Sequence, residues 1–138
     1  MATTYTDLAS QDALVRTFCS ATPFVVQETF NLTGLDDVLV DADVVNLFTL
    51  PANTLVTDAI LEVTGAGTSA TTGTQTVKLR VGTTDITAAL NGKATGLTHS
   101  TAKYTGAAEA TVNVIAAVAT DVVTKNPTIR VTLICVNI

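Results

Sequence analysis

The sequence predicts a single all-β domain, either a sandwich or a barrel, on three observations. The chain has 138 residues, which is enough for one domain with a real core and too few for two. It contains 28 Thr and 18 Val, whose branched Cβ atoms favour a pleated strand, whereas aromatic residues make up only 4%. Several segments alternate apolar and polar side chains with a period of two, which is typical of half-buried strands.

The first 20 residues differ from the rest in their pattern. Apolar side chains recur there at roughly helical spacing, at Leu8, Leu14, Val15 and Phe18. A lone short helix cannot bury such a stripe, so we expect either a short helix or an arm that becomes ordered against a partner. We therefore predict an N-terminal arm over residues 1–20 and a β domain over residues 21–138.

The first three predicted strands are Phe24–Leu32, Val44–Leu50 and Leu55–Thr64. The second is apolar nearly throughout, which predicts burial on both faces. In the third, the predicted core face holds Leu55, Ala59, Leu61 and Val63. Between the second and third strands, Pro51 lacks an N–H and ends one strand, and Asn53 tolerates the left-handed conformation of a tight turn. We expect this turn to close a hairpin.

The last three predicted strands are Gln75–Gly82, Thr111–Ala119 and the segment from Thr128 to the end of the chain. All three alternate clearly, and their predicted core faces are Val77, Leu79 and Val81; Val112, Val114, Ala116 and Val118; and Ile129, Val131, Leu133 and Cys135. Residues 64–74 hold three glycines and no charge, which predicts a flexible hairpin loop. The connection over residues 83–109 is longer, with a helical turn expected at residues 84–92 and a shape set by contacts with something else.

The residue types that carry catalysis or bind metals are scarce. The single histidine, His99, has Thr98 and Ser100 beside it, but sequence neighbours in an extended chain do not face one another, so we expect no catalytic site and no enzyme. Cys19, Cys135 and His99 have the wrong spacing for zinc, and the absence of a signal-peptide pattern leads us to expect two free thiols. The aspartates are expected to form a solvated loop face without a metal or cofactor: Asp36, Asp37, Asp41 and Asp43.

The charge and the apolar runs limit the possible partners. Lys and Arg number only 7, are scattered along the chain and leave a net charge of −5, which excludes the basic surface that nucleic-acid phosphates require. The apolar runs are too short to span a bilayer, so we expect no membrane segment. Four apolar residues fall on the polar faces of strands and predict a second buried surface, such as an oligomer interface: Ile60, Ile115, Ile134 and Val136. With Leu8, Leu14 and Phe18 of the arm, they form the candidate interface.

Residues 47–82 resemble a pattern found in the small virion proteins of tailed bacteriophages. The shared features are the "LPANTLV" turn and strand, the Thr/Gly-rich loop that follows, and the "LRVG" strand. The "TTDITAAL" stretch after Gly82 and the closing "IRVTLICVNI" strand also fit, so the resemblance spans about two-thirds of the chain. It implies a head decoration (cement) protein with a jelly-roll sandwich that trimerises. The implied partners are the major capsid protein and two further copies of the chain. The implied location is the outer capsid surface, after synthesis in the host cytoplasm.

A second class of function remains open, namely a binding module of a tail fibre, spike or neck. Recognition of host glycans usually uses exposed aromatic side chains, and this chain has no Trp and only two Tyr. The sequence therefore favours the structural role over the binding module.

Overall fold

The computed structural model describes residues 23–70 and 72–138, and these form an antiparallel β-sandwich. The predicted arm lies outside the described residues. These residues contain one short 3-10 turn at Leu32–Gly34 and twelve strands. In chain order, the strands are Pro23–Asn31 (β1), Val44–Leu50 (β2), Thr54–Gly65 (β3), Thr68–Ser69 (β4), Thr74–Val81 (β5), Thr84–Asp85 (β6), Leu90–Asn91 (β7), Gly96–His99 (β8), Tyr104–Gly106 (β9), Ala110–Ala119 (β10), Val123–Lys125 (β11) and Thr128–Asn137 (β12).

The strand order is that of a jelly roll. The first sheet runs β1-β12-β3-β8, with β9 also paired to β3, and the second runs β2-β10-β5-β6, with β7 also paired to β5. Strands that follow one another in the chain mostly alternate between the two sheets, and the last long strand, β12, lies between β1 and β3. This nesting of two Greek keys is the jelly-roll arrangement. The all-β sandwich prediction is therefore confirmed.

The six long strands begin and end within one residue of their predicted bounds, and their alternation places one face inside. Ile129, Val131, Leu133 and Cys135 of β12 are fully buried, as are Val77, Leu79 and Val81 of β5. At one side of the sandwich Phe30 of β1 stacks on Phe48 of β2, with ring centroids 6.0 Å apart, and so joins the two sheets. The core is built mainly from Val, Leu and Ile, as the composition predicted.

The predicted core face of the third strand is wrong at its start. Val56 is fully buried, whereas Leu55 is only partly buried. The cause is a β-bulge, because Ile134 pairs with Asp58 while the next residue, Cys135, pairs with Val56. The extra residue, Thr57, donates from its hydroxyl to the Ile134 carbonyl at 3.1 Å. One additional residue reverses the side-chain alternation on one side of the bulge.

The turn at Pro51 does not close a hairpin. β2 belongs to the second sheet and β3 to the first, so the turn carries the chain across the sandwich. The predicted conformation of Asn53 is confirmed, since its φ is 58°, and its carbonyl accepts the Ile138 amide at 2.9 Å. The predicted double-sided burial of β2 is also wrong, because Val44 is 51% exposed and only Phe48 and Leu50 are fully inside.

Both predicted flexible loops are more ordered than expected. Within residues 64–74, β4 pairs with β11, and a Cβ at Gly67 would lie 2.8 Å from the Lys125 carbonyl oxygen. This stretch also passes from one sheet to the other, so it is not a hairpin loop. Residues 84–92 form β6 and β7 around the fully buried Ile86, and the expected helical turn does not form.

Candidate interaction surfaces

The predicted interface residues on the first sheet lie together on its outer face. Val136 pairs with Pro23 on one side and Leu55 on the other, and in the next row Ile134 pairs with Val25 and Asp58. Ile60 pairs with Thr132 one row further along. Ile60, Ile134 and Val136 are each partly exposed, and Val25 is 60% exposed. Most apolar residues of this outer face therefore lie toward the Pro23 end of the sheet.

The opposite end of the same face is mainly polar, although Leu97 of β8, which pairs with Glu62, is 54% exposed there. Arg130 pairs directly with Glu62, and its Nε donates to Glu62 Oε1 at 3.0 Å. Thr29 of β1 lies in the same row. The outer face of the first sheet thus divides into an apolar end and an ion-paired end.

Ile115 is separate from the other predicted interface residues. It lies on β10 in the second sheet, and it borders an open pocket of about 210 Å³ together with Ala42, Lys78 and Ala89. The sandwich therefore places Ile115 on the opposite outer face, and the four strand residues do not form one surface. Leu8, Leu14 and Phe18 lie outside the described residues, so their role stays a prediction.

A second surface, which the sequence interpretation missed, is built from the segment 32–43. The side chain of the buried Asn126 holds this segment with three hydrogen bonds, because Oδ1 accepts from the Leu39 amide at 2.8 Å and Nδ2 donates to the carbonyls of Leu32 and Asp37. Asp43 Oδ2 accepts from the Val40 amide at 2.9 Å. Asp41 Oδ1 accepts from the Val118 amide at 3.0 Å. The polar groups of the segment are thus used to fix its own backbone.

Three apolar side chains of this segment, Leu35, Val38 and Val40, face solvent, whereas Leu32 and Leu39 are buried. Eight large hydrophobic side chains are exposed in the part of the chain that the structure describes, and five of them belong to this region: Leu35, Val38, Val40, Val44 and Val122. Val38, Val40 and Val122 surround an open pocket of about 310 Å³ whose floor includes Leu39, Val118 and Val123. We call Val38, Val40 and Val122 the valine face. Exposed apolar residues grouped in this way are typical of interaction sites.

The aspartates that sequence analysis placed in a solvated loop surround the valine face. Asp36 and Asp37 are exposed and border a small polar pocket beside Lys125, and Asp41 lies between the valine face and the pocket at Ile115. Four aspartates against the two lysines that border the segment, Lys78 and Lys125, leave this region acidic. The sequence does contain a signal for this surface, since the apolar residues Val38, Leu39 and Val40 interrupt the acidic run. The fold decides that Val38 and Val40 are exposed and that Leu39 is buried.

The lone histidine does not form a catalytic arrangement with its neighbours. His99 is exposed on β8, and Ser100 donates its hydroxyl directly to Asp58 Oδ1 at 2.6 Å, with no imidazole between them. That hydrogen bond, a second one from the Ala59 amide and the nearby His99 hold the pKa of Asp58 below its usual value. Among the described residues, no group of three or more His, Cys, Asp and Glu side chains could hold a metal ion.

One ion pair lies beneath the surface near the valine face. The side chain of Asp121 is fully buried, and its Oδ2 accepts from Lys93 Nζ at 3.2 Å and from Ser69 Oγ at 2.7 Å. Lys93 Nζ also donates to the Gly73 carbonyl at 2.6 Å. These contacts fix the 120–123 turn, because a buried carboxylate is stable only when it is paired and hydrogen-bonded.

Comparisons with known proteins give a likeness of fold. No protein-family model matches the chain, and no curated protein matches it. A chain in the capsid structure of Ralstonia phage GP4 is similar with a TM-score of 0.57 and 22% identity, over 85% of this chain and 84% of that one. A chain in the acidic stable capsid structure of Helicobacter pylori bacteriophage KHP30 has a TM-score of 0.54 and 19% identity, over 85% and 88%.

A third similar chain comes from the capsid asymmetric unit of cyanophage Pam1, with a TM-score of 0.52 and 16% identity, over 86% of this chain and 85% of that one. This chain shares its sandwich fold with chains found in three phage capsid structures. Within the described residues, none of the helical structure has the length and apolar character needed to cross a bilayer.

Proposed function

We propose that this chain is a structural protein of a bacteriophage virion, and specifically a decoration protein that binds the outer surface of the capsid and stabilises it. The observation that carries the proposal is the shared fold with chains of three phage capsid structures, over about 85% of both chains in each comparison. Two features of the chain support it. Its exposed apolar side chains are grouped on surfaces, and its buried polar groups hold loops in place.

The proposal includes self-association into a homotrimer. Support comes from the apolar end of the first sheet's outer face, where Ile134 and Val136 lie beside the exposed Val25. Apolar strand faces of this kind are stabilised when a neighbouring subunit covers them. The arm, with Leu8, Leu14 and Phe18, is proposed to dock on a neighbouring subunit.

The test uses capsids of the phage that encodes the chain, assembled without it. The purified protein should bind them at a saturating, fixed number of copies, and the decorated capsids should resist heat or low ionic strength better than bare ones. Light scattering at micromolar concentration should give the mass of a trimer. Absence of capsid binding, with the protein found instead in purified tails, would replace the decoration role with that of a tail module.

A further inference from the structure

The valine face is a preorganised surface, which distinguishes it from an ordinary solvent-exposed loop. Loops normally expose polar side chains, but here the polar side chains of Asp41, Asp43 and Asn126 bond backbone amides or carbonyls of the sandwich and of the loop itself. Val40 and Val122 are left 57% and 58% exposed. A rigid apolar surface loses little conformational entropy when it binds, which favours association.

The backbone behind Val122 is fixed as well. The Val122 carbonyl accepts the Ala70 amide at 2.8 Å, and the neighbouring Asp121 is held by Lys93 and Ser69. Leu39 and Val123 are buried beneath the same pocket. The two halves of the valine face, Val38 with Val40 and Val122, are therefore both anchored to the sandwich.

The charge around the valine face indicates the chemistry of its partner. Asp36, Asp37, Asp41 and Asp43 lie in the same segment, and two basic residues, Lys125 and Lys78, border it. An isologous contact between two valine faces would bring two acidic rims together, which is unfavourable. A partner that presents an apolar side chain flanked by Lys or Arg would instead be attracted to the rim and fill the pocket.

Phe18, the last apolar residue of the arm's stripe, does not reach this surface within its own chain. The valine face lies near the Asn31 end of β1, where Asn126 binds the Leu32 carbonyl, and β1 is about 27 Å long from Pro23 to Asn31. Phe18 lies five residues before Pro23, so the chain between them spans at most about 17 Å. Phe18 therefore cannot return along β1 to the valine face of its own subunit.

We infer that the valine face is the capsid-binding surface of this protein, and that it receives an apolar segment bearing Lys or Arg from the major capsid protein. This inference rests on the proposed function, and it adds which face turns toward the capsid. The acidic rim accelerates the encounter, and the pocket supplies the apolar contact that holds the complex together.

The test compares two variants on capsids of the encoding phage assembled without this protein. In the first, Val40→Asn and Val122→Asn are combined; in the matched control, Leu97→Asn changes a similarly exposed residue, 54% accessible, on β8. We expect the double variant to keep its unfolding temperature and to bind capsids at least tenfold more weakly. The Leu97→Asn control should bind within about twofold of the unchanged protein.

A charge variant tests the rim separately. Combining Asp36→Asn with Asp37→Asn should flatten the dependence of capsid affinity on salt concentration, because two attractive charges are removed. Capsid binding by the valine double variant at the unchanged affinity would overturn the inference while leaving the proposed function intact.

Two further outcomes each overturn the inference in a recognisable way. Dissociation of the double variant into monomers, with the Leu97→Asn control still oligomeric, would assign the valine face to a second copy of the chain. If the unchanged protein does not bind capsids at all, the proposed function fails and the capsid partner fails with it.

Discussion

Asn126 is a single residue on which the shape of an entire loop depends. Its side-chain amide forms hydrogen bonds with the backbone of Leu32, Asp37 and Leu39, which lie 87 to 94 positions earlier in the chain. We predict that Asn126→Ala lowers the free energy of unfolding by about 2–4 kcal/mol, because it leaves the buried Leu39 amide without a partner. Urea unfolding measures the loss, with Asn46→Ala on the exposed side of β2 as the control, expected to change stability by less than about 0.5 kcal/mol. Equal effects of the two changes would contradict the role of Asn126.

Gln75 is a buried polar residue whose amide has no hydrogen-bond partner within the described residues. Its side chain is fully buried, and neither Oε1 nor Nε2 is bonded. Burying an amide without a partner costs roughly 1–3 kcal/mol, so Gln75→Met, which keeps the length of the side chain, should stabilise the protein by about 1 kcal/mol. Thermal unfolding tests this, and the exposed Gln27→Met serves as the control. A loss of stability would show that buried water supplies the missing hydrogen bonds.

Cys135 titrates differently in the folded and unfolded chain. Burial raises the pKa of its thiol from about 9 to about 12, so the folded protein retains the proton where the unfolded chain has lost it. The contribution of this thiol to the free energy of unfolding is therefore fully present below pH 9. It is lost as the pH rises toward 12, with a slope that approaches about 1.4 kcal/mol per pH unit. Unfolding curves of the protein and of Cys135→Val should diverge in that window. Parallel curves would show that the thiol reaches solvent in the folded protein.

The same thiol tests the prediction that both cysteines are free. Labelling of the unfolded, unreduced protein should modify Cys19 and Cys135, whereas Cys135 in the folded protein should react slowly because it is fully buried. Labelling of neither residue after unfolding would indicate a disulfide.

At the scale of elements, the turn between β2 and β3 depends on one backbone conformation. Asn53 has a φ of 58°, in the left-handed region. Most residues with a Cβ pay roughly 1–2 kcal/mol there, whereas Gly, which lacks a Cβ, and Asn or Asp adopt it more readily. We predict that Asn53→Gly leaves stability unchanged within about 0.5 kcal/mol and that Asn53→Ala lowers it by about 1 kcal/mol. Urea unfolding of both variants is the measurement. Equal stability of the two would mean that the turn relaxes to another conformation.

At the scale of the whole molecule, the described residues already form two packed sheets. Residues 23–138 supply every strand of both sheets in the described structure, including the core faces of β1 and β12. We predict that deletion of residues 2–17 leaves the circular dichroism spectrum of a folded β protein and weakens trimer formation or capsid binding. A full-length chain with Leu8→Ser, Leu14→Ser and Phe18→Ser should show the same weakening, because it removes only the apolar stripe. An unfolded deletion variant would assign the segment to the core.

The sequence by itself determined the six long strands, most of their inward faces and the conformation of Asn53. These are local properties, because alternation with a period of two and the tolerance of Asn for a positive φ act over a few neighbouring residues. The same local pattern predicted Leu133 and Val131 as core residues, and both are fully buried.

Only the tertiary structure decided which strands pair and which apolar residues remain outside. The Pro51 turn crosses between sheets, and the bulge at Thr57 places Val56 in the core instead of Leu55. Neither could be predicted locally, because the strand that pairs with each of these segments lies far away in sequence. The exposure of Val38 and Val40 beside the buried Leu39 has the same origin, since the hydrogen bonds of Asn126 hold that segment from the far end of the chain. The surface best suited to bind a partner was therefore set by long-range contacts, which local periodicity does not record.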